Sequence, residues 1–473
     1  MKNNILRKLP SVDTLINTEE GKQLIKKHSH TSLVKATRSV LEELRSEILK
    51  KETASIKEDE LSVESIMRRI QDHLKKKFSP SLQKAINATG IILHTGLGRA
   101  VLSKKALEAI NETIEGYCTL ATDIETGHRG HRDIHLNDLL CELTGAEAAT
   151  LVNNNAAATV LILNALAKGK EVIVSRGQLV EIGGSFRMPD VMESSGAILK
   201  EVGTTNKTHL KDYLAAINEN TGAIMRVHHS NYRILGFAEE PPIEDLIKLG
   251  KEFHMPVIDD LGSGALVDLK EFGLETEPLV QQSINAGADV CCFSGDKLIG
   301  GPQSGVIVGK SAVLEKIKKN PLARAFRVGK MTIASMEATL KLFLDSEKLT
   351  LNHPCYRMFS CGLEDLEKRA EKIKKKLSAG AKDKADIHTI DGGSQVGSGS
   401  VPIETLPTKL LRVKPSSLSA DNLAKKLRYN VPPIFARVQK DSVLFDLRTI
   451  QPEEDESVQE ALLRILFGKE LSS

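Results

Sequence analysis

The sequence predicts an α/β fold with a mostly parallel central sheet, a small helical domain before it and a smaller α+β domain after it. Three observations carry this prediction. Apolar residues recur at helical spacing in the first 80 residues, short β-branched runs alternate with helical stretches from about residue 89 to 309, and mixed helices and strands follow residue 346. The predicted domains are residues 1–80, 81–345 and 346–473.

Two amphipathic helices are predicted in the N-terminal segment, on either side of a polar connector at Lys51–Glu60. The segment holds 17 Lys and Arg against 12 Asp and Glu, a net charge of +5, whereas the rest of the chain carries −2. Basic residues cluster at Arg68, Arg69 and 75–77. The segment is interpreted either as a packing arm or as a module that binds a polyanion.

The central region predicts strands that are buried on both faces, because its apolar runs are short and continuous and the gaps between them suit crossover helices. The predicted strands are Thr150–Val152, Val172–Val174, Ala197–Val202, Ala223–His228, Pro256–Asp259, Val290–Phe293 and Val306–Val308. A long amphipathic helix is predicted at Met331–Leu344. Further on, helices are predicted at Leu363–Leu377 and Ala420–Arg428, and strands at Asp386–Thr389, Lys409–Val413, Ala436–Gln439 and Ser442–Leu447.

Composition excludes several classes of protein. The 473 residues are 41% hydrophobic and 27% charged, which is a globular mixture and argues against disorder or a coiled-coil rod. The N-terminus has no apolar secretory segment, and the most apolar stretch, around 156–167, is too short to span a bilayer. The six cysteines form no C-x-x-C pair. A reducing, cytoplasmic location is therefore expected.

Three histidines, His128, His131 and His135, have spacing that resembles a metal site. Arg129 and Arg132 lie between them and would repel a cation. No metal site is predicted here.

The most informative residue is Lys297, which follows an apolar strand on a glycine-rich turn. Lysine is seldom buried without a partner, and burial favours the neutral amine that reacts with a carbonyl. Ser294 precedes it by three residues. A second apolar strand ends in Asp259 and Asp260, and ligands of parallel sheets bind at the carboxyl ends of strands. Strand alternation points the two aspartates to opposite faces; Asp260 is preferred for the site, although periodicity cannot say which face is inward.

An aspartate and a lysine in this order resemble the fold type I (aspartate-aminotransferase-like) pyridoxal-phosphate enzymes. In that fold the aspartate keeps the ring nitrogen protonated, the lysine holds the cofactor, and a serine such as Ser294 binds its phosphate. Asn154, Asn155 and Ala156 follow the first strand and begin a helix, whose free N–H groups suit a phosphate. Each feature alone has an ordinary structural explanation, such as a helix cap or a turn.

Longer motifs resemble one family, the bacterial L-seryl-tRNA(Sec) selenium transferases, or selenocysteine synthases. The resemblance runs from Leu9 to Arg448. The motifs are I-N-A-T-G at 86–90, H-T-G-L-G-R at 94–99, V-E-I-G-G-S-F-R at 180–187, E-V-G-T-T-N at 201–206, S-N-Y at 230–232 and S-G-D-K-L-I-G-G-P-Q at 294–303.

The resemblance implies that pyridoxal 5′-phosphate is the cofactor, carried by Lys297 and faced by Asp260. The implied reaction converts seryl-tRNA(Sec) to selenocysteinyl-tRNA(Sec) through a dehydroalanyl intermediate, with selenophosphate as the selenium donor. Arg99, Arg324, Arg327 and Asp296 match the family's selenium-donor pocket. The resemblance also implies that the N-terminal domain binds the tRNA and that subunits form a closed ring of dimers, a homodecamer.

The residues themselves leave two alternatives. One is a pyridoxal-phosphate lyase or ammonia-lyase that acts on a small hydroxy-amino acid, and the basic N-terminal segment argues against it. The other is a tRNA-binding scaffold whose pocket is inactive. The group that protonates the departing hydroxyl is left open, with Asp296 as one candidate.

Overall fold

A computed structural model describes residues 5–50, 58–184, 186–229, 231–274, 277–378 and 384–468. Most of the predicted connector at 51–60 lies outside these residues, as do Ser185 and Ser230 of the sequence motifs. The chain forms two compact units, residues 1–84 and 85–473. The predicted division into three domains stays a prediction.

The first unit is a helical bundle, as the apolar stripes predict. Its helices are α1 (Val12–Ile16), α2 (Glu19–His28), α3 (His30–Lys50) and α4 (Val63–Phe78), with a short 3₁₀ turn at Glu58–Leu61. Leu33 and Leu41 of α3 pack with Ile66 and Ile70 of α4 in a fully buried core. The hydroxyls of Ser11, Thr18 and Ser62 cap the starts of α1, α2 and α4.

The first ten strands of the second unit are β1 (Ile86–Ala88), β2 (Ala148–Val152), β3 (Glu171–Ser175), β4 (Glu181–Ile182), β5 (Phe186–Arg187), β6 (Ile198–Val202), β7 (Thr221–Val227), β8 (Val257–Gly262), β9 (Val290–Ser294) and β10 (Gly305–Gly309). Seven of them form a sheet with the order β2-β10-β9-β8-β7-β3-β6. Strands β3, β6, β7, β8 and β9 are mutually parallel, and β10 pairs antiparallel with both β9 and β2. Every residue of β2, β9 and β10 is buried, because helices cover both faces of the sheet. The fold class predicted from the sequence is confirmed.

The helices of the second unit pack on its sheets and connect their strands. They are α5 (Lys104–Ile114), α6 (Asn137–Thr144), α7 (Asn155–Ala167), α8 (Met188–Ser195), α9 (Leu210–Ala216), α10 (Ile243–Glu252), α11 (Val280–Ala286), α12 (Ser311–Lys319), α13 (Pro321–Ala325), α14 (Lys330–Leu340), α15 (Leu349–Asn352), α16 (Pro354–Ser360), α17 (Leu363–Ser378), α18 (Ala420–Arg428) and α19 (Asp455–Phe467). Short 3₁₀ turns occupy Thr95–Leu97, Arg132–His135, Arg176–Gln178, Leu269–Phe272, Lys341–Leu344, Ser346–Lys348 and Pro452–Glu454. None of the described helices is both long and apolar enough to cross a membrane.

A second sheet has the order β1-β13-β14-β12-β11, where β11 is Ala385–Gly397, β12 is Ser400–Pro415, β13 is Ile434–Gln439 and β14 is Ser442–Asp446. It packs its own apolar core with α17, α18 and α19. Its edge strand β1 pairs in parallel with β13, although the predicted boundary assigned residues 86–88 to the large domain. The chain therefore contributes to this sheet before it enters the larger one.

Candidate active site

Lys297 lies just after β9, on a turn that glycine makes possible. The Gly295 N–H donates to the Ser304 carbonyl at 2.9 Å, and a Cβ at position 295 would lie 2.2 Å from Ser304 Oγ. Lys297 is only 5% exposed. Burial, followed by the charge of Arg99, lowers the pKa of its amine, against the pull of Asp260, Asp296 and Glu277. The site thus makes this amine easier to deprotonate than an exposed lysine.

Asp260 lies near the carboxyl end of the neighbouring strand β8, and hydrogen-bond donors surround its carboxylate. Oδ1 accepts from Asn155 Nδ2 at 2.9 Å and from the Gly262 N–H at 3.1 Å, while Oδ2 accepts from Thr159 Oγ1 at 3.0 Å. Burial raises the pKa of Asp260, and these donors and Lys297 oppose that rise. Three donors suit a carboxylate that acts only as an acceptor.

The preceding residue, Asp259, faces the opposite side of the sheet. Its two carboxylate oxygens accept from Arg226 Nε at 2.8 Å and Arg226 Nη2 at 2.7 Å. Strand alternation separates the two aspartates as expected. The structure adds the fact that position 260, and not 259, lies on the side of Lys297.

The loop between β2 and α7 completes this side of the sheet. Asn154 caps α7 by accepting the Ala157 N–H at 2.8 Å. A Cβ at Gly305 of β10 would lie 2.3 Å from the Asn154 carbonyl oxygen, so the strand and the loop pack closely. This packing fixes the start of α7 beside Lys297.

A single cavity of about 230 Å³, which we call the lysine cavity, joins these groups. Its walls include all six residues that the sequence predicts for cofactor binding, which are Lys297, Asp260, Ser294, Asn154, Asn155 and Ala156. Arg99 also lines it and forms an ion pair with Asp296, with Arg99 Nη1 and Asp296 Oδ2 separated by 2.8 Å. The structure therefore brings eight of the ten predicted site residues together.

The other two predicted residues, Arg324 and Arg327, line a different cavity of about 520 Å³, which we call the arginine cavity. Arg129 and Arg132 share its wall. The positive charge of Arg132, followed by that of Arg324, lowers the pKa of Arg327. The two cavities flank the same loop, because the Asn153 N–H donates to the Phe326 carbonyl at 2.9 Å.

Two family models match the chain. The L-seryl-tRNA selenium transferase model matches residues 85–451, and the selenocysteine synthase N-terminal model matches residues 6–45. The chain is a member of the L-seryl-tRNA selenium transferase family. Known L-seryl-tRNA(Sec) selenium transferases resemble it over nearly their whole length: that of Alkaliphilus metalliredigens is 48% identical and that of Carboxydothermus hydrogenoformans 46%, each over 98% of both chains.

Among solved structures, D-glucosaminate-6-phosphate ammonia-lyase resembles this family member with a TM-score of 0.57 and 20% identity, over 83% of this chain and 98% of that chain. At that identity the likeness concerns the fold alone. It agrees with the fold type I architecture that the sequence resemblance predicts.

Among the wall residues of the lysine cavity that were not predicted as site residues of this selenium transferase homologue, one is a histidine. His228 follows β7, lines the lysine cavity and has a buried Nδ1 without a hydrogen-bond partner among the described residues. Burial, with the charge of Arg226, lowers its pKa to about 4, so the imidazole is neutral. The available signal was its place at the carboxyl end of a parallel strand, the same signal that identified Asp260.

Proposed function

We propose that this chain converts seryl-tRNA(Sec) to selenocysteinyl-tRNA(Sec), with pyridoxal 5′-phosphate as cofactor and selenophosphate as selenium donor. The observation that carries the proposal is the convergence of Lys297 and Asp260 in one buried cavity of a selenium transferase family member. Each acts in a role that the chemistry requires: the lysine as an amine of lowered pKa, and the aspartate as a buried acceptor.

The lysine cavity fits pyridoxal phosphate. Lys297 would hold its aldehyde carbon, Asp260 its ring nitrogen, and Ser294 together with the first turn of α7 its phosphate. Bound there, the cofactor supplies an electron sink for the α-carbon of serine. A carboxylate beside the ring nitrogen would keep that nitrogen protonated and so strengthen the withdrawal of electrons. We assign this role to the buried carboxylate of Asp260.

Proton transfer then falls to the side chains beside the amino acid. The lowered pKa of Lys297 equips its amine to accept the α-proton of serine. Asp296 lies one residue away and is held by Arg99. We assign this pair to the departing hydroxyl or to the incoming selenium donor.

An anion site is needed for the selenium donor, and the arginines supply it. Serine esterified to tRNA has no free carboxylate, so the arginines near the site are not required to bind one. Guanidinium groups match the oxygens of a phosphate-like anion with paired hydrogen bonds. Arg99 is available in the lysine cavity, and Arg324 and Arg327 are available across the loop at 153–155.

The central experiment supplies the purified holoenzyme with seryl-tRNA(Sec) and selenophosphate, and in parallel with free serine. We expect selenocysteinyl-tRNA(Sec) from the charged tRNA and no turnover of free serine. Rapid turnover of free serine that tRNA does not affect would instead indicate a lyase.

Replacing Arg324 with alanine should separate the two halves of the reaction. We expect the seryl group on the tRNA to lose its hydroxyl as in the wild type. Selenium incorporation should fall by about 10²-fold or more, because a guanidinium that binds the phosphate-like selenium donor is lost. Both can be measured by hydrolysing the tRNA ester and quantifying the released amino acids. Arg428→Ala, at an exposed position of α18, is the matched control. Loss of the first half in Arg324→Ala would show that the anion site is elsewhere.

Binding of tRNA should depend on the basic end of α4. Lys75, Lys76 and Lys77 are exposed, and a triple alanine variant should bind tRNA less tightly. The slope of the logarithm of the binding constant against the logarithm of the salt concentration should fall by up to about three, one for each lost phosphate contact. Filter binding across a salt series measures both. The matched control replaces Lys372, Lys375 and Lys376, which are exposed on α17. Equal loss in both variants would contradict a specific role for the first unit.

A further inference from the structure

A third cavity, of about 320 Å³, adjoins the lysine cavity. Val227 and His228 line both, so the end of β7 forms the wall between them. We call it the acidic cavity, because Glu240, Asp268 and Glu277 contribute carboxyl groups to its wall. His228 is therefore the side chain that a substrate group held in the lysine cavity would pass to reach this space.

The acidic cavity is poorly suited to an anion. Arg226 lines it, but its guanidinium is already paired with both oxygens of the fully buried Asp259. His229 lies 3.3 Å from Glu240, which also accepts a hydrogen bond from Gln178 at 3.1 Å. Lys270 is the one lysine among the described residues of the wall, and it is solvent-exposed.

Among the carboxyl groups of this wall, that of Glu277 has a buried oxygen that accepts no hydrogen bond from the described residues. Its Oε2 accepts the Val401 N–H at 3.2 Å, and its Oε1 is buried with no hydrogen-bond partner in the described ranges. Burial raises its pKa to about 7, and the charge of Lys297 is among the effects that oppose the rise. Glu277 and the reactive lysine therefore sense each other electrostatically.

We propose that the acidic cavity receives the ester end of the seryl substrate, with its ribose hydroxyls, and that Glu277 discriminates against the carboxylate of free serine. The inference rests on the proposed function and adds a substrate subsite to it. An uncharged ester places hydroxyl donors near an unpaired carboxyl oxygen, whereas free serine would place a second negative charge there.

The discrimination should depend on pH, in a direction set by Glu277. When Glu277 is protonated it tolerates a nearby carboxylate, and once ionised above pH 7 it repels one. The preference for the ester should therefore grow as pH rises. The other charged or titratable groups of the cavity wall are Arg226, His228, His229, Glu240, Asp268 and Lys270, and Arg233, Lys297 and Glu404 also act on Glu277 electrostatically.

The test titrates the holoenzyme with L-serine and with L-serine methyl ester and follows the cofactor absorbance, at pH 6 and pH 8.5. We expect the ratio of half-saturating concentrations to favour the ester at pH 8.5. Glu277→Gln keeps an acceptor for the Val401 N–H, and it should reduce this preference at least about tenfold at pH 8.5 and little at pH 6. Comparing variant with wild type at the same pH cancels the different amine pKa values of the two ligands.

Two further variants keep the result interpretable. Glu277→Asp retains the charge and should retain the preference, which separates charge from packing. Glu244→Gln, at an exposed position of α10, should behave as wild type. If Glu277→Gln binds both ligands with an unchanged ratio, the inference is wrong and the proposed function stands. If the wild-type absorbance responds to neither ligand, or shows no preference for the ester at pH 8.5, the inference is also wrong; the proposed function fails only if the holoenzyme forms no selenocysteinyl-tRNA(Sec) from the charged tRNA and selenophosphate.

Discussion

Lys297→Ala should lower the formation of selenocysteinyl-tRNA(Sec) by at least about 10³-fold and abolish the visible absorbance of the bound cofactor. The size of the effect follows from two tasks that one amine performs. In the proposed function it would hold the cofactor and, with its lowered pKa, accept the α-proton, a step that alone contributes about 10²–10⁴-fold. Absorbance spectra and single-turnover assays measure the two losses separately.

Added small amines offer a sharper version of this experiment. Alanine at position 297 leaves space in a buried cavity, so ethylamine should restore part of the lost proton transfer but not the covalent hold on the cofactor. Lys319→Ala, at the exposed end of α12, is the control and should match wild type. If Lys297→Ala retained the visible absorbance, another residue would hold the cofactor and the assignment would be wrong.

The sequence predicted the sheet and its reactive end because both follow from local rules. Continuous apolar runs identified the buried strands, and the carboxyl ends of two of them identified Lys297 and Asp260. The choice between Asp259 and Asp260 was different. Period-two alternation separates their faces, but the inward face is set by what packs there, namely Asn155 and Thr159 on one side and Arg226 on the other.

Other features were hidden from local rules. Strands β11 and β12 are much longer than predicted. The predicted strands are short because Gly392, Gly393 and Pro407 are residue types that usually interrupt a strand. In the structure Gly393 pairs with Pro407, and a Cβ at Gly392 would lie 2.5 Å from Leu410 Cδ1, so close packing across the hairpin explains that glycine. The β11–β12 hairpin also brings Val401 to Glu277, a contact across 124 residues that no short pattern encodes.

The arginines show a third case. Arg324 and Arg327 were chosen through the family resemblance alone, and the structure places them with Arg129 and Arg132 in the arginine cavity. From the sequence, Arg129 and Arg132 served only as evidence against a metal site at the nearby histidines. Their convergence with Arg324 and Arg327 depends on the close approach of the 326–328 segment, where Arg132 Nη1 donates to the Val328 carbonyl at 2.6 Å.

Asp260 and Asp259 provide a matched pair for the second large effect. Asp260→Asn should lower turnover by about 10³-fold while the cofactor still binds through Lys297, because an amide cannot keep the ring nitrogen protonated and therefore weakens the electron sink. The same change one residue earlier touches no wall of the lysine cavity. Asp259→Asn instead removes the charge partner of Arg226.

The expected cost of Asp259→Asn is in stability. Breaking a buried ion pair costs about 3 kcal/mol or more in the free energy of unfolding. A cost near that minimum is expected here, because the Arg226 side chain keeps 22% exposure. Thermal unfolding and single-turnover rates of both variants test the pair: Asp260→Asn should lose rate, and Asp259→Asn should lose stability while keeping its cofactor absorbance. The reverse pattern would mean that position 259 faces the reactive centre. Two adjacent, chemically identical substitutions can thus show which face of β8 carries the chemistry.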